Sequence, residues 1–183
     1  MRCSIAIASH RGGFPRGQDD YPQRRRPWLA PPTTSSSSRD RRPILSHRIT
    51  NPDANIELIR ASFGEFNAGD LDACVARLAP DFVINLAELA EPMHGRDAWR
   101  QGAEMMRRAF PDLEADIRDI FAAADRVAVR LTFRGTHTGE FLGIPATGRS
   151  IQYVSHEFYR VLDGLIAEEW ICSDTATLMR QVS

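Results

Sequence analysis

Glu157 and Glu169 flank the turn signal Asp163-Gly164, and carboxylates so placed could work as an acid/base pair. Ser150 to Val161 and Leu165 to Ser173 read as the two strands of a hairpin around that turn. If Gly164 supplies the left-handed residue of a three-residue loop, Val161 pairs with Leu165. Glu157 then lies opposite Glu169, and Ser155 opposite Ile171. Side chains alternate with period two, so Tyr153, Ser155, Glu157, Tyr159, Glu169 and Ile171 share one face. His156, Phe158, Arg160, Glu168, Trp170 and Cys172 take the other. A two-residue loop would shift the pairing by one and break this set. Two carboxyls facing each other in an apolar cavity cannot both ionise cheaply; one pKa rises and the pair shares a proton. Such a pair suits enolisation or protonation of a carbonyl compound, worth about 10² to 10⁴ in rate. The competing reading leaves Glu169 solvated at the sheet rim and ties Glu157 to Arg130 or Arg134.

Other chemistries lack their residues. All 23 basic residues are Arg, so Schiff-base, pyridoxal-phosphate and P-loop lysines are excluded. Cys3, Cys74 and Cys172 form no C-x-x-C pair, which argues against a disulfide framework and for a reducing, cytoplasmic compartment. No metal site is expected: His137, His156 and Asp174 are not spaced to converge on one ion. No Ser/His/Asp set or Gly-rich phosphate loop stands out. No apolar run approaches the roughly 18 to 20 residues of a membrane helix.

The net charge of −1 hides two unlike parts. Residues 1–50 carry ten Arg against three acids, with six Pro and seven Ser. They read as a disordered tail, too poor in apolar surface to offset the entropy of ordering. A start codon chosen too far upstream, a targeting peptide or a basic arm would each account for it. Residues 51–183 carry thirteen Arg against 21 acids and read as one domain, which would repel nucleic acid.

Within that domain the apolar spacing predicts the elements that position the pair. Ile56, Ile59, Phe63 and Phe66 mark a first helix behind Asn51-Pro52-Asp53. Leu71, Cys74, Val75 and Leu78 mark a short second helix capped by Asp70. Asp81 to Leu86 reads as a strand. A third helix follows Gly95-Arg96-Asp97, with Trp99, Ala103, Met106 and Phe110 as its apolar face. Four strands then run from Leu113 to Ser173, and Asp174 caps a last helical turn. Helices first and a meander after them predict an α+β fold, helices on one face of an antiparallel sheet.

Several strings in this order resemble the SnoaL-like polyketide cyclase (ester cyclase) branch of the nuclear-transport-factor-2-like superfamily. They are Phe66-Asn67-Ala68-Gly69-Asp70, Gly95-Arg96, Arg108-Ala109-Phe110-Pro111-Asp112, and the run Phe133-Arg134-Gly135-Thr136-His137-Thr138-Gly139-Glu140-Phe141-Leu142-Gly143-Ile144-Pro145-Ala146-Thr147-Gly148. Asp163-Gly164, Glu168-Glu169-Trp170 and Asp174 continue the likeness, which spans roughly 55 to 183. The resemblance implies a cone-shaped curved sheet, with N-terminal helices on its concave face around one apolar pocket. It implies intramolecular aldol closure of a polyketide without cofactor or metal, and a homodimer through the outer sheet face carrying Phe158 and Trp170. The fold also hosts isomerases, dehydratases, epoxide hydrolases and binding modules.

By the same resemblance, the face holding Glu157 and Glu169 is the pocket face. The family's catalytic carboxylate would fall at Ile171, which cannot move a proton, and its neighbouring His at Glu157. Asn85 falls in a pocket-lining region and could donate to a substrate oxygen, or serve as an ordinary strand residue. Tyr153 and Tyr159 would orient a ring or donate a proton, or simply pack. Met105 and Met106 suit either core or an adaptable pocket. His137 either anchors its loop or reaches the pocket. Two functions follow: a cofactor-independent cyclase or isomerase acting on a small polyketide- or terpene-like molecule through Glu157 and Glu169, or a non-catalytic ligand-binding relative. An epoxide hydrolase would need an Asp-Arg-Asp set that the residues do not assemble.

Overall fold

A computed structural model describes residues 51–183; the expected tail, residues 1–50, lies outside the described residues. Helix α1 (Pro52–Ala68) starts where expected: the Asn51 side chain accepts from the amides of Asp53 and Ala54, and Pro52 fills the first helical turn. It stops at Gly69, whose φ of 77° is left-handed. Asp70 caps α2 (Leu71–Ala76) by accepting from Ala73 N. β1 (Leu78–Leu86) is longer than expected and pairs with a two-residue β2 (Met93–His94) that the sequence reading did not contain. Then come α3 (Arg96–Ala109), β3 (Glu114–Ala123), β4 (Arg126–Thr136), β5 (Ser150–Leu162), β6 (Leu165–Ser173) and α4 (Thr175–Val182).

The six strands form one curved, open sheet in the order β2-β1-β6-β5-β4-β3. β3 to β6 make the expected antiparallel meander. The sheet as a whole is mixed, because β1 runs parallel to β6. The connectivity causes this: the chain leaves β1 for the far edge, and three antiparallel turns bring it back beside β1 in the same direction.

Helix α1 lies against the meander and is pinned to it by two asparagines. Asn55 Nδ2 donates to Ala124 O at 3.1 Å. Asn67 exchanges two hydrogen bonds with the backbone of Ala115, at 2.9 and 2.8 Å. Arg107 of α3 ties that helix to the end of α1 by donating to Phe66 O, with its guanidinium 4.5 Å from the centre of the Phe66 ring. The core between helices and sheet is filled by Ile59, Phe82, Ile84, Phe110, Leu113, Leu131 and Ile166, all buried.

The β5–β6 hairpin departs from the expected loop in two ways that compensate each other. The loop has two residues: Asp163 and Gly164 both have positive φ, 52° and 78°, and Leu162 pairs with Leu165. That alone would turn the carboxylates to opposite faces. A bulge then intervenes, because Val161 pairs with Ile166 but Arg160 pairs with Glu168, leaving Ala167 as the extra residue. The bulge restores the parity, so the expected face set survives with different partners. Glu157 stands opposite Ile171, Tyr159 opposite Glu169, and Ser155 opposite Ser173.

Candidate active site

The face shared by β5 and β6 is buried. Ser155, Glu157, Tyr159 and Glu169 are 0%, 5%, 5% and 4% exposed, so neither carboxylate is at a solvated rim. Nor does either carry an arginine. Arg130 bonds Asp119, and Arg134 bonds Gln152 and Asp116 on the other face.

The two carboxyls are held very differently. Ser155 Oγ donates to Glu157 Oε1 at 2.8 Å, and Tyr159 OH donates to Glu157 Oε2. Both Glu157 oxygens are therefore satisfied. Glu169 Oε1 is buried with no hydrogen-bond partner among the described residues. Burial pushes both carboxyls above the usual range, because the apolar interior disfavours the charged form. At Glu157 the Tyr159 and Ser155 hydroxyls stabilise the anion and pull against that rise. At Glu169 nothing pulls back, and the charge of Glu157 raises it further, well above the ordinary value. Glu157 is thus the carboxyl that ionises first, and Glu169 the one that keeps its proton. That is the division of labour an acid/base pair needs.

The surroundings are apolar. Ile84 of β1 is the cross-strand neighbour of Glu169, and Val129 of β4 that of Glu157. Phe63 of α1 packs edge-on against Tyr159, with ring centres 6.3 Å apart. Ile171 is half-buried against this core, opposite Glu157.

The other expected residues fall in various places. Tyr153 shares the buried face and stacks on Phe133, ring centres 5.1 Å apart. Burial, aided by the charge of Glu157, pushes its phenol far up, so it is a hydrogen donor rather than a base. Asn85 does not join the pair. It neighbours Trp170 and donates to Glu168 Oε1 at 3.2 Å, on the outer face, because Phe82 and Ile84 already take the inward positions of β1. His137 does not join it either. It follows β4 at eight residues beyond Val129, about 26 Å along an extended chain. There it anchors its loop, with Nδ1 3.0 Å from Thr147 Oγ1 and the ring against Phe110. Met106 is half-buried on α3 against the core, while Met105 lines an open cleft with Arg108, Glu140 and Leu142. That cleft, of about 410 Å³, and another of about 530 Å³ beside Asp112, Arg134 and Gln152, are not lined by either carboxylate. Among the described residues no group of three or more His, Cys, Asp or Glu side chains could hold a metal ion.

Ser155 and Ser173 are the functional candidates that sequence reasoning passed over. Alternation puts Ser155 on the face of Glu157 but carries no sign of its bond to that carboxylate. Ser173 became its partner only through the bulge at Ala167.

Comparison with known proteins fixes the family. The SnoaL-like polyketide cyclase model matches residues 57–182. The chain belongs to the SnoaL-like polyketide cyclase family. Among solved structures it is similar to IdmH, a proposed polyketide cyclase from Streptomyces antibioticus. The two are 36% identical, the match covers 69% of this chain and 96% of that one, and the TM-score is 0.62. AclR from Streptomyces galilaeus, a proposed hydroxylase, is 28% identical over 72% of this chain and 82% of its own, with a TM-score of 0.67. TsrD from Streptomyces laurentii is 26% identical over 73% of this chain and 97% of its own, at 0.64. No curated protein matches.

Proposed function

We propose that this SnoaL-like chain is a cofactor-independent enzyme that cyclises or isomerises a small polyketide- or terpene-like carbonyl compound, with Glu157 as base and Glu169 as acid. The observation that carries this reading is the buried, unequal pair: one carboxylate held by two hydroxyls, one carboxyl with an unpartnered oxygen. Glu157 would take an acidic hydrogen from the carbon beside a carbonyl. The resulting enolate carbon would attack a second carbonyl, and Glu169 would protonate the alkoxide that forms. Tyr159 and Ser155 position the base. Neither cleft is lined by the pair and both carboxyls are buried, so binding requires the side chains around them to move aside.

A second reading, a non-catalytic binding relative, is favoured by Ile171, which stands where the resemblance places the family's acid. A panel of polyketide esters, cyclic ketones, terpenoids and epoxides separates the two. A ligand at a hundredfold excess over its Kd stabilises the fold by about 2.7 kcal/mol, which a thermal-shift assay registers. Turnover of a stabilising ligand that falls in Glu157→Gln and Glu169→Gln supports the enzyme. Binding without turnover, equal in wild type and both variants, supports the binding module.

A further inference from the structure

The reaction proposed above requires Glu157 to be ionised before it can act as the base. Its carboxyl is sealed from solvent, so the proton it sheds on ionising needs a path out. The structure offers one continuous path. Ser155 Oγ lies 2.8 Å from Glu157 Oε1 and 2.9 Å from Ser173 Oγ. Ser155 is fully buried, whereas Ser173 is the last residue of β6 and partly exposed. The register builds this path, since Ser155 and Ser173 are cross-strand partners and Glu157 is the next inward residue on β5. The other oxygen of Glu157 is bonded to the hydroxyl of Tyr159, which is itself buried.

We infer that Ser155 and Ser173 form a hydroxyl relay that carries protons between Glu157 and solvent. The inference rests on the reading of Glu157 as the base. Protonated Glu157 gives its hydrogen to Ser155 Oγ. Ser155 passes its own hydroxyl hydrogen to Ser173 Oγ, and Ser173 passes its own to water. One proton leaves and only O–H bonds change. Ser155 ends as a donor to ionised Glu157, the arrangement the structure shows. The titratable groups facing Glu157 are Tyr153 and Tyr159 from its own strand and Glu169 from β6. β4 and α1 contribute Val129 and Phe63, which carry no charge.

The test follows the hydrogen-to-deuterium exchange of the protonated Glu157 carboxyl by infrared spectroscopy on the full chain. Its band is assigned by its loss in Glu157→Gln. Ser173→Ala removes the outer hydroxyl, whereas Ser173→Thr keeps one. Exchange is expected to slow about tenfold or more in Ser173→Ala and to stay near the wild-type rate in Ser173→Thr, because proton transfer needs a donor within hydrogen-bond reach. Equal rates in all three proteins would overturn the relay while leaving Glu157 as base. If Glu157→Gln removes no protonated-carboxyl band at any pH where the protein is folded, the relay and the acid/base reading fall together.

Discussion

Tyr159 donates its phenol hydrogen to Glu157, two residues back on the same strand face, and stands directly across the hairpin from Glu169. One side chain therefore steadies the base while lying beside the acid. Tyr159→Phe keeps the ring contact with Phe63 and deletes only the hydroxyl. Glu157 Oε2 then loses its donor, and a buried acceptor left unsatisfied costs about 1–3 kcal/mol. The Glu157 pKa should move further up, because the lost bond favoured the anion. Chemical denaturation and a carboxyl titration check the two effects.

Glu169→Gln tests the cost of the buried acid. A carboxyl whose pKa is raised on folding binds its proton more tightly in the native state than in the unfolded one. Its stabilising contribution is therefore complete below the ordinary value of 4.5 and is lost as pH climbs from there through the raised native pKa. Wild-type stability should fall across that window, and Glu169→Gln should flatten the fall. Urea denaturation at a series of pH values measures it; a parallel slope in wild type and variant would contradict the prediction.

Removing Ala167 tests the bulge. Without the extra residue β6 pairs without a break, with Ile166 still opposite Val161, Glu168 opposite Arg160 and Glu169 opposite Tyr159, so Glu169 keeps its inward face. The deletion should keep the raised Glu169 titration, as should Ala167→Gly, which keeps the residue count; loss of that titration in the deletion would contradict the pairing. Carboxyl titration of the two variants decides it.

Gly139→Ala tests the loop that follows β4. The Gly139 amide donates to Ala109 O at 3.0 Å, and an added Cβ would lie 2.1 Å from Arg108 O. Backbone cannot yield as a side chain does, so the variant should lose about 1–3 kcal/mol or more of stability. A calorimetric melt at the wild-type Tm would show the contact to be slack.

Phe158→Arg tests the outer face. Phe121, Ala128, Phe158 and Trp170 are successive cross-strand neighbours there, with Phe121 and Phe158 66% and 53% exposed. We propose that a second copy of the chain covers this strip. Arg130, Arg160, Asp119 and Glu168 beside it supply both charge signs, as a surface that meets itself requires. Sedimentation velocity should show a dimer in wild type and a monomer in the variant.

Much of this architecture was legible in the residues, for local reasons. Asn51, Asp70 and Asp174 announce helix starts because their side chains accept the first free amides. Period-two alternation places six residues on one face, as the strand register does. The facing partners were not legible, because Ile166-Ala167-Glu168 carries no mark of a bulge, so Ser173 stayed hidden. Asn85 could have been placed: with Phe82 and Ile84 inward, alternation turns Asn85 outward. His137 could not, since a family-like string says nothing of its distance from the β5–β6 hairpin.

The central claim is that Glu157 and Glu169 divide one proton between a base and an acid. The most direct measurement is a carbon-13 NMR titration of the glutamate carboxyls, with each of the two assigned by its Gln variant. Glu169 should titrate well above the ordinary range and above Glu157, and its pKa should drop in Glu157→Gln as the neighbouring charge disappears. If both carboxyls titrate near 4.5 and neither responds to loss of the other, the pair is not coupled and the account is wrong.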